Sequence, residues 1–109
     1  MPRYMIEETF TGQTMAALLH NPEDRAEAIR PMYEAVGGRL EHYYFSLTEN
    51  RLFKIVNIPD QADLAAIQIA NFTGASLTSY RITPIVTASE VVDVVKRAAS
   101  VDYRAPGKE

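Results

Sequence analysis

The chain has no cysteine and no tryptophan. Without Cys there is no disulfide framework, no thiolate nucleophile and no Cys-ligated metal. Its two histidines, His20 and His42, share no tight carboxylate spacing, so no metal site is expected. No apolar run approaches the roughly 20 residues that span a bilayer. The opening "MPRYMIEETF" carries Glu7 and Glu8 within its apolar part, unlike the core of a secretory signal. No membrane association is expected, and a cytoplasmic location fits. Basic residues never cluster beyond two and the net charge is −3, which argues against a nucleic-acid partner. There is no Gly-rich phosphate loop, serine elbow or metalloprotease motif, so no cofactor is expected.

What is present is a chain of 109 residues, enough for one domain and too short for two. Folding at this size buries roughly 65% of the unfolded chain's surface. A 47% hydrophobic composition can fill the resulting core. Residues 1–101 read as one domain and 102–109, with Pro, Gly and no periodicity, as an arm or disordered tail.

Residues 3–11 have strand character up to Gly12, and "QTMAALLH" then looks helical. In "NPEDRAEAIRPMYEAVGG", Asn21 can cap a helix, Pro22 suits its first position, and Glu23 and Asp24 its first turn. Gly37 and Gly38 stop it, and Pro31 should kink it near the turn holding Glu27. Residues 39–47 and 51–58 are two strands too close for anything but a hairpin. Asp60 caps, and Gly74 ends, a segment so apolar all round that a deeply buried helix is expected. Residues 76–86 form a fourth strand, with Pro84 at an edge or outside the ladder. Thr87 and Glu90 form a capping box, and Lys96 and Arg97 suit the last turn of the helix that follows. The pattern is α+β: a ferredoxin-like βαββαβ order with an extra C-terminal helix, and four antiparallel strands with the two main helices on one face.

Alternation divides the strand residues between two faces. Tyr43, Phe45 and Leu47 suit the helix side. Leu40, His42, Tyr44 and Ser46 suit the open side, together with Met5, Glu7, Phe53, Ile55, Leu77, Ser79 and Arg81, unless a bulge shifts a strand. Leaving Met5, Leu40, Phe53, Ile55 and Leu77 uncovered would make an unusually large apolar patch. A homodimer closing two such faces about a two-fold axis is therefore expected.

The "YMIEETFT" start, the "NPEDRAEAIRPMYEAVGGRLEHYYF" block, "IPD", "TGASLTSYRITPIVTASE" and the terminal "YRAPG" together resemble the GYD-domain proteins. The resemblance covers nearly the whole chain and implies a ferredoxin-like domain related in shape to dimeric α+β barrels. It implies little chemistry, because the family is a domain of unknown function. It also implies a Gly-Tyr-Asp signature in the hairpin after the second strand. Here Thr48 stands where its Gly would be, Asn50 where its Tyr would be and Arg51 where its Asp would be, with Glu49 keeping the spacer acidic. Asn tolerates positive φ, so the turn can survive with the strained position at Asn50.

The sharpest constellation is His42 with Tyr44 and Arg81. His titrates near neutrality, Glu7 could orient it, and Arg81 could clamp a substrate carboxylate. The plainer reading is a polar network that sets dimer register. His20, after a short helix, suits the helix dipole. Tyr43 and Phe45 read as core rather than as an RNA-stacking platform, and the sequon-like "NFT" at 71–73 reads as chance. A haem degrader would want an axial His on the second main helix, which has none. Two functions stay open. One is a homodimeric assembly or binding module for a small apolar or carboxylate ligand held between sheet and helices. The other is a metal-free small-molecule enzyme, of isomerase or cofactor-independent monooxygenase type, using His42, Tyr44, Arg81 and Glu7.

Overall fold

The computed structural model describes residues 2–107. Strand β1 (Arg3–Phe10) alternates strictly, with Tyr4, Ile6, Glu8 and Phe10 buried and the residues between them half-buried. Helix α1 (Gly12–His20) starts where the Thr11 side chain accepts from the Thr14 N–H at 3.1 Å. It buries no residue fully, but Met15 and Leu18 rest on a small cluster of Phe10, Leu52 and Leu77.

Helix α2 (Arg25–Glu34) starts three residues later than its Asn-Pro sequence suggests. Asn21 is spent as the C-cap of α1, its backbone N–H bonding the Ala17 carbonyl at 3.0 Å. The N-cap is Asp24, whose carboxylate accepts from the N–H groups of Ala26 and Glu27. A carboxylate receiving two free N–H groups at the positive end of the helix dipole outcompetes a neutral amide cap. Pro31 lies inside α2, and the helix ends three residues beyond it. Gly37 takes a positive φ of 76°. Gly38 permits a close approach: a Cβ there would stand 2.6 Å from the Asn57 carbonyl oxygen.

Strands β2 (Arg39–Ser46) and β3 (Arg51–Asn57) follow as a hairpin, then α3 (Gln61–Thr73), β4 (Leu77–Ile85) and α4 (Ala88–Ala99). The strands form one antiparallel sheet in the order β2-β3-β1-β4. Helices α2 and α3 cover one face. Tyr33 from α2 and Leu64 and Ile67 from α3 pack on Tyr4, Ile6, Leu40 and Val56 of the sheet.

Two bulges revise the expected faces. Leu40 pairs with Val56 but His42 with Ile55, so Glu41 is the extra residue. Phe10 pairs with Leu77 but Thr9 with Ser79, so Thr78 is extra. Each inserted residue swaps the side chains beyond it to the other face. Leu40 and Leu77 therefore lie in the helix-side core, 2% and 6% exposed, not on the open face. Leu47 is not a helix-side residue: it falls in the turn beyond β2 and is fully exposed. Helix α3 is not deeply buried all round; Leu64, Ile67 and Gln68 are buried, whereas Ile69 and Phe72 are exposed. Phe72 packs edge-on against Tyr80 at 5.8 Å.

Helix α4 has the expected box, Thr87 and Glu90 each bonding the other's backbone N–H. No residue of α4 is buried. At 100° per residue, Ala88, Val91, Val92, Val95 and Ala99 fall within an arc of about 100°, and Ser89, Glu90, Asp93, Lys96 and Arg97 lie opposite. The radius of gyration is 18.1 Å. A compact chain of this length would have about 13 Å. The excess reflects a helix about 18 Å long that stands off the body, followed by largely exposed, irregular residues 101–107.

Candidate functional site

The open face of the sheet holds the residues singled out from sequence, in a row and not in a cluster. Tyr44 pairs with Phe53, Phe53 with Glu7 and Glu7 with Arg81, one residue per strand across the whole sheet. His42 stacks on Tyr44 at 5.9 Å, with their planes 12° apart, on edge strand β2. Glu7 lies two strands from His42, about 10 Å across the sheet at ordinary strand spacing. Its ion-pair partner is Arg51, at 4.0 Å, and not His42. Glu7, Arg51 and Arg81 border a shallow groove of about 260 Å³. The structure thus joins His42 to Tyr44, and sets Glu7 beside Arg51 and opposite Arg81, without bringing the four together. His20 is exposed in the last turn of α1.

The β2–β3 turn carries its positive φ at Asn50, 51°. Asn is among the few side chains that populate this region readily. Its side-chain N–H₂ donates to the Phe10 carbonyl at 3.1 Å, tying the turn to the end of β1. Arg51 turns its charge toward Glu7.

The other face holds a polar cluster that the sequence reading missed. Glu8 of β1 and Lys54 of β3 are 3% and 2% exposed, and the Lys54 ammonium lies 2.5 Å from the Glu8 carboxylate. Lys54 also donates to the Tyr33 hydroxyl at 2.7 Å, and Gln68 of α3 donates to the second Glu8 oxygen at 3.0 Å. Burial pushes the Tyr33 phenol above its usual range, against the opposing pull of Lys54. Ile6 pairs with Lys54 and Glu8 with Leu52, so the two charges are diagonal neighbours across the β1–β3 seam. The signal was legible. Each central strand places one charge, of opposite sign, in an otherwise apolar inward set, and charged residues are almost never fully buried without a partner.

Beside this ion pair lies a cavity of about 40 Å³ bordered by Glu8, Lys54, Phe10, Tyr43, Leu52 and Leu77, with Arg25 and Asn71 also lining it. Burial pushes the Tyr43 phenol up to about 12. At the far end of the sheet, Arg3 donates to Glu41 at 2.8 Å and Asn57 donates to the same carboxylate. These hydrogen bonds, that from Arg3 foremost, hold Glu41 below its ordinary value. Among the described residues no group of three His, Cys, Asp or Glu could hold a metal ion. No helix among them is long and apolar enough to cross a membrane.

An open four-stranded antiparallel sheet with helices on one face, and a buried ion pair beneath them, defines an α+β domain with one free sheet face. The GYD-domain family model matches residues 4–95, and the chain belongs to that family. No curated protein matches it.

Proposed function

We infer that this GYD domain is a ferredoxin-like homodimeric module that closes its open sheet faces over each other, each copy supplying α4 as a second contact. The observation that carries this reading is α4 itself. A helix with a continuous valine arc and no buried residue has its apolar face unpartnered within its own chain. Burying a valine contributes roughly 1.5–3 kcal/mol, so a surface that covers Val91, Val92 and Val95 is strongly favoured. The open face supports the same reading less strongly than five large residues would, because Leu40 and Leu77 lie in the core. Met5, Phe53 and Ile55 remain on it, with the His42–Tyr44 stack beside them.

Light scattering on a size-exclusion column at micromolar concentration tests the assembly. The expected mass is a dimer, converted to monomer by Val95→Glu at the centre of the arc and weakened by His42→Ala. A monomeric wild type refutes the reading.

A second reading, a metal-free small-molecule enzyme or binding protein with its site between sheet and helices, is supported by the Glu8–Lys54 pair beside its cavity. Charged side chains converging on a cleft are candidate binding groups as well as structural ones.

A further inference from the structure

We propose that the cavity over the β1–β3 seam binds a small monocarboxylate through its head group, with a short apolar tail against Phe10, Leu52 and Leu77. This deepens the second reading above and is independent of the dimer. An ammonium has three donors. Lys54 gives one to Glu8 and one to Tyr33, and among the described residues nothing accepts the third. Both Glu8 oxygens are already engaged, one by Lys54 and one by Gln68. The Tyr43 hydroxyl has no hydrogen-bond partner among the described residues, and a phenol, here pushed up to about 12 by burial, keeps its proton at neutral pH. Arg25 spends one nitrogen on Glu23 at 2.6 Å, leaving its other donors for the cavity it lines.

The cavity therefore presents unspent donors on Lys54, Arg25 and Tyr43, beside Asn71 and Ser76, whose polar groups can donate or accept. Its lining also carries two cations, Lys54 and Arg25, against one carboxylate, Glu8. An anion with two acceptor oxygens matches these unspent donors and cationic side chains, whereas a cation does not. A buried ion pair is a weak stabiliser compared with apolar packing, and here it borders open space instead of packed side chains. The room, about 40 Å³, corresponds to roughly three waters at 10–15 Å³ each, which suits a carboxylate head and few carbons.

The test is an amide NMR titration of the full chain with sodium butyrate and, separately, with 1-butanol, which keeps the tail and lacks the charge. Butyrate is expected to shift the amides of Glu8, Leu52, Lys54 and Ser76 saturably, and 1-butanol to bind at least about tenfold more weakly. Tyr43→Phe removes only a hydroxyl with no partner in the chain, so the fold persists. Its butyrate affinity is expected to drop by about tenfold. No saturable shift with butyrate, equal affinities for butyrate and butanol, or undiminished binding by Tyr43→Phe each overturns the proposal. Light scattering on the same samples separates this from the assembly reading: a monomer that binds butyrate refutes only the dimer, and a dimer that does not bind it refutes only the cavity site.

Discussion

Replacing Lys54 with Met tests whether the seam between β1 and β3 is held by a buried ion pair. Methionine keeps most of the volume and removes the charge. Glu8, 3% exposed, then keeps only the Gln68 amide as a partner, and Tyr33 loses its donor. Removing one partner of a buried pair costs about 3–5 kcal/mol, because the remaining charge is stranded. That is a large share of the roughly 5–15 kcal/mol that holds such a domain together. With a urea slope of about 1.5 kcal/mol per molar, the unfolding midpoint should fall by about 2–3 M. Adding Glu8→Gln to Lys54→Met removes the stranded charge and should recover at least about 2 kcal/mol. The assay is a double-mutant cycle by urea denaturation followed by circular dichroism at pH 7, at one protein concentration because association shifts apparent stability. If Lys54→Met costs less than about 1 kcal/mol, or if the two changes simply add, the charges are not coupled across the seam and the reasoning fails.

Two further perturbations probe other parts of the molecule. Gly38→Ala would push a methyl to 2.6 Å from the Asn57 carbonyl oxygen and 3.1 Å from that of Tyr33. Both are backbone atoms that cannot rotate away, so thermal denaturation should show a loss of about 1–3 kcal/mol, and an unchanged midpoint would refute the close approach. Glu41 has its carboxyl held below 4.5, chiefly by the Arg3 hydrogen bond. A carboxylate favoured in the folded state contributes stability that is present above its unfolded value and lost as pH falls through its lower folded value. Wild type should therefore lose stability as pH drops below about 4.5, and Glu41→Gln should lose less over that window in acid titrations followed by circular dichroism. Parallel curves for the two proteins would refute the assignment.

Much of this protein was determined by local sequence. The β1 alternation, the Asp60 cap of α3, the Thr87–Glu90 box and the Gly37 stop depend on neighbours a few residues away, so the residues alone reveal them. The strained turn position at Asn50 also follows from the side chain itself. What only the tertiary structure decided depends on pairing between distant residues. The bulges at Glu41 and Thr78 arise where one strand must fit another, and they moved Leu40 and Leu77 from the expected open face into the core. The strand order separated His42 from Glu7 by two strands, although alternation alone assigned them to one face. It also joined Glu8 to Lys54, 46 positions apart, beneath Tyr33 and Gln68. Periodicity tells which way a side chain points relative to its own strand. Which side chains then meet is set by strand order and register, and these follow from the whole sheet closing at once.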